Sequence, residues 1–264
     1  MYKLIDTHTH IYPDKVAEKA TKGIGAFYNI EMWGGGTAEG LIKSAASSGV
    51  DHFVVHSAAT VPAQVESINN FIASQVQKYP QWFTGLGTMH PDYENIADEI
   101  DRLISLGLTG IKLHPDFQKF NIDDKNACKI YECIEGRIPV LFHTGDKRYE
   151  YSKAYRVKNI MKMFPKLTVV AAHFGGYSEW EESAKWLWDT GVYVDTCSTF
   201  FECPIDTVRK LVDIYGEDHI MFGTDYPMWN APDELNYIEQ LNLSDTAKQK
   251  IFSRNAVKVY NINE

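Results

Sequence analysis

Two histidines near the start of the chain, His8 and His10 in the segment IDTHTH, could bind one metal ion together. Side chains two residues apart on a β-strand point to the same side, about 6.6 Å apart along the backbone. Two imidazoles with this spacing can reach one ion, at about 2.0–2.1 Å from each nitrogen. The pair alone is weak evidence, because a strand can also end in polar residues that bind nothing.

Seven of the nine histidines lie at or just after the end of a predicted strand, namely His8, His10, His56, His90, His114, His143 and His173. An aspartate, Asp225, follows the last strand. The carboxyl ends of the strands meet on one face of a parallel barrel, so these side chains are expected to converge. A metal site there would combine the strand-1 pair with an imidazole from His143 and the carboxylate of Asp225. Such ligands together favour zinc or a similar divalent ion.

The elements that would position these residues are eight short apolar or β-branched segments, each followed by a helical pattern. The predicted strands are residues 3–8, 50–56, 82–87, 108–113, 138–142, 167–171, 192–195 and 219–222. Their nearly continuous hydrophobicity is typical of parallel strands buried on both faces. This pattern predicts an α/β fold, a (β/α)8 TIM barrel that forms a single domain over residues 1–264. A doubly wound open sheet is disfavoured, because no glycine-rich phosphate loop follows the first strand.

The connection after the first strand, residues 11–36, is unusually long and rich in glycine. Loops of this length are uncommon in compact domains unless they are functional or disordered. The segment could be a lid that brings Tyr28 or Trp33 over a pocket. It could equally be a surface excursion with its own short helix near residues 14–20. The sequence leaves both alternatives open.

Composition excludes several classes of protein. The formal net charge of -9 at pH 7 argues against a nucleic-acid partner, because phosphate binding requires a basic surface. No run of about 18 apolar residues is present, so no membrane span is expected. The chain start lacks the basic and apolar regions of a signal peptide, which predicts a cytoplasmic protein. Aromatic residues around Trp180, Trp186 and Trp188 could form a homodimer contact.

The four cysteines, Cys128, Cys133, Cys197 and Cys203, include no CxxC pair and are too few for a disulfide scaffold. We therefore expect reduced and mostly buried thiols. Cys197, just after the seventh predicted strand, is the one that could line a pocket. Nothing near it in the sequence marks it as a nucleophile.

Seven motifs, taken in order, resemble those of a known family. They are DTHTH at the start, GIKLHP, VLFHTG, FPKLTVVAAHFGG, VYVDTCS, IMFGTDYP and RNAVKVY at the end. The series is similar to that of the amidohydrolase superfamily, specifically its amidohydrolase-related (type 2) branch. That branch holds metal-dependent hydrolases together with decarboxylases of the aminocarboxymuconate-semialdehyde type. The resemblance covers nearly the whole chain.

The resemblance implies a role for each matched residue. His8 and His10 would bind the metal, and His143 would be a third ligand of that ion or a ligand of a second one. His173 would bind a second metal or, in an enzyme with one metal, orient and protonate the substrate. Asp225 would be a ligand that also takes the proton from metal-bound water.

Lys112 on the fourth strand has alternative roles. In relatives with two ions, a lysine at this place becomes a carbamate that bridges them. With one ion, Lys112 could bind a substrate carboxylate as an ammonium group, or simply pair with a neighbouring carboxylate of the barrel. One ion is the commoner arrangement in this branch and is the one we expect, with zinc as the first choice of metal and manganese as the second.

Other polar residues could contact substrate or have structural roles. Candidates for substrate contacts are His56, His114, Arg148 and Trp33. Of these, His114 precedes a proline and could instead hold a turn, and Arg148 could lie in a solvated loop. Asp6 shares the inward side of the first strand with the histidines. It is expected to support them, because metal-bound imidazoles usually donate their second N–H to a carboxylate or carbonyl.

The expected activity is hydrolysis, in which a metal-activated water attacks an amide, lactone or ester carbonyl of a small, carboxylate-bearing substrate. A metal ion lowers the pKa of bound water to about 7, and Asp225 or His173 would pass the proton to the leaving group. The first alternative is a decarboxylase with the same site. It needs a cationic clamp, for which only Lys112 and Arg148 are well placed. A more distant alternative is a non-catalytic binding barrel, against which the complete ligand set argues.

Overall fold

The structure, a computed structural model, describes residues 3–263 and contains nine short strands in that range. They are β1 (Ile5–His10), β2 (His52–His56), β3 (Phe83–Gly85), β4 (Gly87–Thr88), β5 (Ile111–Leu113), β6 (Val140–Phe142), β7 (Val169–Ala171), β8 (Tyr193–Asp195) and β9 (Ile220–Met221). Every neighbouring pair is parallel, with β1 to β3 in one run and β4 to β9 in another.

The two runs of strands close into one barrel. β3 and β4 are interrupted only at Leu86, whose N–H donates to the carbonyl of Val55, so together they form the single strand predicted at 82–87. At the other edge, the N–H of His10 donates to the carbonyl of Tyr226 at 2.7 Å, so β1 also pairs with the segment that follows β9. The predicted (β/α)8 TIM barrel is confirmed.

Twelve α-helices in the described range surround the strands. They are α1 (Asp14–Tyr28), α2 (Ala38–Ser48), α3 (Val65–Lys78), α4 (Ile96–Ser105), α5 (Pro115–Gln118), α6 (Lys125–Ile134), α7 (Ala154–Met163), α8 (Trp180–Leu187), α9 (Ile205–Tyr215), α10 (Ala231–Glu239), α11 (Asp245–Gln249) and α12 (Asn255–Tyr260). A 3₁₀ turn (Pro62–Gln64) precedes α3, and a π-helical turn (Lys250–Arg254) precedes α12. Between residues 3 and 263, no helix combines the length and apolarity that crossing a bilayer would require.

The barrel interior is a packed core and not a channel. Side chains from successive strands fill it and are inaccessible to solvent, among them Ile5, Val54, Leu86, Leu141 and Val170. α12 adds buried apolar side chains to the same cluster. Because this interior is filled, a ligand can reach the barrel only where the loops leave space, and in this fold the carboxyl ends of the strands provide it.

The connection at 11–36 contains a longer helix than the sequence predicted. α1 has 15 residues, about twice the length of the helix expected near residues 14–20. Glycine inside a helix costs about 1 kcal/mol relative to alanine, so Gly23 and Gly25 conceal this helix in the sequence. Gly25 is required by packing, since a Cβ there would lie 2.8 Å from the carbonyl oxygen of Ile30. The helix ends at Asn29, which has a left-handed backbone (φ 56°).

The aromatic residues predicted for a homodimer contact do not form one exposed group. Trp188 and Trp186 are 63% and 43% exposed, but Trp180 is only 8% exposed. Trp180 starts α8 and packs into the core between the strands and the helices, so it is not available for a partner. The homodimer itself stays a prediction.

Candidate active site

A cavity of about 840 Å³ opens at the carboxyl ends of the strands. Seven of the predicted site residues line it and form what we call the floor: His8, His10, Lys112, His114, His143, His173 and Asp225. Six of the seven are buried, and His10 is partly buried. The strand ends therefore bring together side chains that are spread over more than two hundred residues of sequence.

Three predicted metal ligands lie side by side on the floor. Nε2 of His10 is 3.2 Å and Nε2 of His8 is 3.5 Å from Oδ1 of Asp225. The N–H of Asp225 donates to the carbonyl of His8, which joins the two strand ends. The hydroxyl of Ser198 donates to Oδ2 of the same carboxylate at 2.6 Å. One oxygen of Asp225 is thus fixed, and the other faces both imidazoles.

These groups have the protonation states that a metal site requires. Burial lowers the pKa of His8 and of His10, so both imidazoles are neutral at pH 7. Burial alone would raise the pKa of Asp225, but the imidazoles of His8 and His10 hold it below its ordinary value. Metal ligands must be deprotonated to bind. Two neutral imidazoles and one carboxylate that share a point therefore fit a divalent ion.

A buried carboxylate, Asp195 at the end of β8, determines the tautomer of His8. Its Oδ2 accepts a hydrogen bond from Nδ1 of His8 at 2.8 Å, which leaves Nε2 as an acceptor that faces Asp225 and Nζ of Lys112. Its Oδ1 accepts from the backbone N–H of His173 at 2.8 Å. Asp195 therefore positions two floor histidines and is the most important residue that the sequence-based site omitted. Its place at the end of a predicted strand was the available signal.

Asp6 does not have the role expected for it. Its carboxylate accepts from the hydroxyl and the backbone N–H of Thr224, at 2.6 and 3.0 Å, and from the backbone N–H of His8 at 3.2 Å. Burial raises its pKa to about 7, against the effect of these hydrogen bonds. Asp6 therefore holds the backbones of the first and last strands together, while Asp195 supports the imidazole. The reason is depth, since Asp6 lies one layer below the histidine rings.

Cys197 lies behind the floor and not in the cavity. Its Sγ is 3.1 Å from Nδ1 of His8 and 3.1 Å from Nδ1 of His173. The thiol donates to Oδ1 of Asp195 at 2.9 Å. Burial raises the pKa of this thiol well above its ordinary value, so it is protonated and unreactive at neutral pH. The expectation that Cys197 lines a pocket is therefore wrong.

His143 and His173 form a pair on the floor. Nε2 of His173 is 2.9 Å from Nδ1 of His143. The other nitrogen of His143, Nε2, is buried without a hydrogen-bond partner in residues 3–263, although Oδ2 of Asp116 lies 3.4 Å away. A buried polar atom without a partner is costly. A ligand atom or ion at His143 would satisfy it.

His56 lies against the strand-1 histidines. Its ring meets the rings of His10 and His8 edge-on, with centroids 4.5 and 4.8 Å apart. Both of its nitrogens are buried without hydrogen-bond partners in the described range. One nitrogen from each of the three histidines lies within 4.8 Å of the others. His56 therefore belongs to the imidazole cluster and does not line the cavity as a substrate contact would.

Lys112 is the cation of the floor. Its side chain is fully buried, and Nζ lies 3.0 Å from Nε2 of His8. Burial lowers its pKa, while the carboxylates of Asp225 and Asp195 oppose that shift. The ammonium group lines the cavity, as a group that binds a substrate anion must.

The opposite side of the cavity, which we call the roof, is one face of α1. The lining residues are Lys15, Val16, Lys19, Ala20, Gly23, Ile24, Phe27 and Tyr28. Their spacing of three and four residues is that of a single helix face. The hydroxyl of Tyr28 lies 3.1 Å from Nε2 of His114, so the end of the helix contacts the floor. This arrangement favours the lid over the surface excursion.

His114 combines the two roles that were left open for it. Its Nδ1 accepts from the backbone N–H of Phe117 at 3.3 Å and so caps α5. Its ring stacks between those of Phe117 and His143, with centroids 3.8 and 4.1 Å away. It also lines the cavity. His114 is therefore a structural residue with one edge available to a ligand.

Two predicted substrate contacts, Trp33 and Arg148, lie outside the cavity. Trp33 is 49% exposed, and its ring centroid is 6.1 Å from that of Tyr226. Because α1 ends at Tyr28 and the chain turns at Asn29, Tyr28 faces the cavity in place of Trp33. The prediction for Trp33 is corrected accordingly.

Arg148 holds the roof from outside. Its guanidinium donates to both oxygens of Asp146, at 3.0 and 2.7 Å. It also donates to the carbonyl of Phe27 at 2.9 Å and lies 4.5 Å from the centre of that ring. With these partners satisfied, Arg148 fixes the end of α1 and does not line the cavity, which corrects its predicted role as a substrate contact.

Comparisons with known proteins agree with this fold. The amidohydrolase family model matches residues 5–262. Gamma-resorcylate decarboxylase from Polaromonas sp. is 22% identical over 253 residues, which cover 74% of this chain and 75% of the relative. 2-Keto-4-carboxy-3-hexenedioate hydratase from Sphingobium sp. is 23% identical over 246 residues, which cover 74% of this chain and 70% of the relative.

A solved structure of 5-carboxyvanillate decarboxylase from Novosphingobium aromaticivorans is also similar. It has a TM-score of 0.78 and 17% sequence identity, and the match covers 98% of this chain and 96% of that chain. That structure contains manganese and 4-hydroxy-3-methoxy-5-nitrobenzoic acid. The family model spans nearly the whole chain, and the ordered motifs agree with it. The chain therefore belongs to the amidohydrolase family, within the amidohydrolase-related (type 2) branch.

Proposed function

We propose that this protein is a metal-dependent carboxy-lyase, which releases carbon dioxide from an aromatic or other unsaturated carboxylic acid. The observation that carries the proposal is Lys112, a buried lysine at the floor of a cavity with mainly apolar walls, whose charged form the carboxylates of Asp225 and Asp195 favour. A carboxylate that enters such a cavity loses water and is attracted to the cation. The similarity to gamma-resorcylate decarboxylase supports the proposal.

A divalent ion fits the residues of the floor. His8, His10 and Asp225 converge, and the imidazole of His143 lines the same cavity. These four residues would hold one ion, which supplies a Lewis acid for oxygen atoms of the substrate. Manganese is the first metal to test, because the similar 5-carboxyvanillate decarboxylase contains it. Zinc, expected from the ligand types, is the second.

Each residue of the floor would have a different role in the reaction. Lys112 binds the carboxylate of the substrate and keeps it at the floor. The ionised carboxyl of Asp225 accepts a proton from a substrate hydroxyl or from water and returns it to the carbon that bears the carboxylate. When the new C–H bond has formed, the C–C bond breaks, its electron pair returns to the unsaturated system and carbon dioxide leaves. With one ion bound, His173, which lines the cavity and whose Nε2 lies 2.9 Å from Nδ1 of His143, would orient the substrate.

The hydrolase expected from the sequence is the second candidate and uses the same floor. The carboxylate of Asp225, whose Oδ1 lies 3.2 Å from Nε2 of His10, favours it because this group could accept a proton from water. The apolar walls, however, offer few partners to the N–H and carbonyl groups of an amide. The named curated relatives are a decarboxylase and a hydratase, and neither is a hydrolase. The carboxy-lyase is therefore the better supported function.

The test separates the candidate functions by their products. Protein purified without chelator is loaded with Mn²⁺ or Zn²⁺ and incubated with hydroxybenzoates, unsaturated carboxylic acids, lactones and amides. We expect one carbon dioxide for each acid consumed, loss of activity with chelator and recovery with Mn²⁺. Acid release from a lactone or amide without carbon dioxide would establish the hydrolase. Protein that retains no metal and forms neither product would be a non-catalytic barrel.

A variant tests the observation behind the proposal. Lys112→Met should lower the rate of carbon dioxide release by about 10²-fold, because a buried charged contact to the substrate is lost. Its manganese content should equal that of the unaltered protein. Lys162→Met removes an exposed lysine and is the matched control. Full decarboxylation by Lys112→Met would contradict the proposed role of the buried cation.

A further inference from the structure

We propose that the substrate of this site is an elongated acid with an anionic group at each end. One carboxylate reacts at the floor, an apolar body lies along α1, and a second anionic group binds Lys15 and Lys19. The inference rests on the proposed function, since it takes the reacting group to be a carboxylate. It adds the size and the charge pattern of the molecule that the cavity accepts.

The first argument is the length of the roof. The residues of α1 that line the cavity extend from Lys15 in its first turn to Tyr28 at its end. A helix of 15 residues is about 22 Å long. Tyr28 contacts the floor through His114, and Lys15 lies about 20 Å along the helix axis from that contact. The volume of about 840 Å³ lies near the upper end of the usual range for ligand cavities. A single-ring acid would leave much of this space unfilled.

The second argument is the apolar middle of the cavity. Ile24 and Phe27 of α1 line it together with Ile68 and Phe71 of α3. Gly23 lies on the same face of α1, and a Cβ built there would meet no atom within 4 Å. The walls between floor and mouth thus leave open space beside apolar side chains. An extended aromatic or aliphatic body would bury its surface here.

The third argument is an unpaired positive charge at the far end. Lys15 and Lys19 lie one helical turn apart, and their exposed side chains line the cavity. Neither has an ion pair or side-chain hydrogen bond within residues 3–263, whereas Lys22 of the same helix pairs with Glu18 at 2.6 Å. Asp225 on the floor is the one carboxylate among the described lining residues. This cationic end therefore stands out in a protein whose net charge is -9.

Binding experiments on the manganese-loaded protein test the proposal without turnover. Isothermal titration calorimetry compares benzoate, biphenyl-4-carboxylate and biphenyl-4,4′-dicarboxylate. The second ring should increase affinity at least about tenfold, because it buries apolar surface along α1. The second carboxylate should add roughly a further threefold to tenfold at low ionic strength. High salt should remove this last gain but not the first.

Variants show which residues are responsible for each gain in affinity. Lys15→Gln/Lys19→Gln should abolish the preference for the dicarboxylate and leave the affinity for benzoate unchanged. Lys22→Gln/Lys43→Gln removes the same charge from exposed lysines that do not line this cavity, and should preserve the preference. Phe71→Ala should reduce the gain from the second ring.

Equal affinities for the three probes, or a dicarboxylate preference that survives Lys15→Gln/Lys19→Gln, would overturn the proposal. The outcome can be separated from that of the proposed function. Carbon dioxide released from single-ring acids, together with equal probe affinities, would support the carboxy-lyase and reject the elongated substrate. The expected probe affinities, together with no carbon dioxide from any acid, would support the elongated ligand and reject the carboxy-lyase.

Discussion

The floor and the roof of the cavity are held in different ways. Each floor residue projects from the end of a barrel strand and is fixed by buried groups, as His8 is by Asp195 and Asp225 is by Ser198. The roof is one helix, which contacts the floor at Tyr28 and is held from outside by Arg148. On the proposed function, the chemistry depends on the barrel, whereas the choice of substrate depends on the helices that line the cavity, which can change while the barrel stays the same.

The largest effect is expected from Asp225→Asn on the floor. The amide cannot accept and return a proton, and it removes the charged ligand next to His8 and His10. Carbon dioxide release should fall by about 10²- to 10⁴-fold. Steady-state kinetics and the manganese content of the purified variant measure both consequences. Asp213→Asn, at an exposed site, is the control. An Asp225→Asn enzyme with the rate of the unaltered protein would separate this residue from the chemistry.

The next effect tests how the floor is supported. Asp195→Asn replaces the acceptor of the His8 Nδ1 hydrogen with a group that can donate, so the tautomer of His8 is no longer determined. Manganese affinity should fall by about 10- to 100-fold, as for other residues that orient metal ligands. Competition with a metal-binding dye measures it. Asp6→Asn should affect metal affinity less, since Asp6 holds backbone and not an imidazole. A larger loss of manganese affinity in Asp6→Asn than in Asp195→Asn would show that Asp6 supports the metal-binding imidazoles, as the sequence led us to expect.

The floor and the roof also differ in how well the sequence predicts them. The barrel was predictable, because strands buried on both faces are nearly continuously apolar and their order determines which ends meet. The boundaries were less accurate. β1 runs from Ile5 to His10, later than the predicted 3–8, and the strand at 82–87 is interrupted at Leu86. Hydrogen bonding to neighbouring strands sets these limits, and a single segment does not show it.

The contacts that support the floor residues, and the whole of the roof, could be identified only from the structure. Asp195 and His8 are 187 positions apart, and no local pattern links them. α1 was hidden because Gly23 and Gly25 weaken its helical signal. Its cavity face is recognisable only when the position of the floor is known. The sequence therefore predicts residues that follow strands well, and residues on the helix that covers them poorly.

A smaller effect is expected when the roof is loosened. Arg148→Met removes the bonds to Asp146 and to the carbonyl of Phe27, each of which is a charge-assisted hydrogen bond. The end of α1 should become mobile, so KM should rise by about tenfold while kcat and manganese content change little. Arg148→Lys keeps the positive charge beside Asp146 but not the bidentate geometry, and should rescue KM only in part. A kcat effect as large as that of Asp225→Asn would show that Arg148 acts in the chemistry.

The smallest effect is expected at the hydrogen bond between Tyr28 of the roof and His114 of the floor. Tyr28→Phe keeps the ring, which packs 4.8 Å from Phe27 and 5.0 Å from Tyr177, and removes only the hydroxyl that meets His114. The loss of one ordinary hydrogen bond corresponds to roughly 0.5–1.5 kcal/mol, so KM should rise about twofold to tenfold. Trp33→Phe is the comparison, since this side chain faces outward from the same segment and should leave KM unchanged. If Trp33→Phe raised KM more than Tyr28→Phe, the residue that closes the cavity would be Trp33, and the roof would have to adopt another position when substrate is bound.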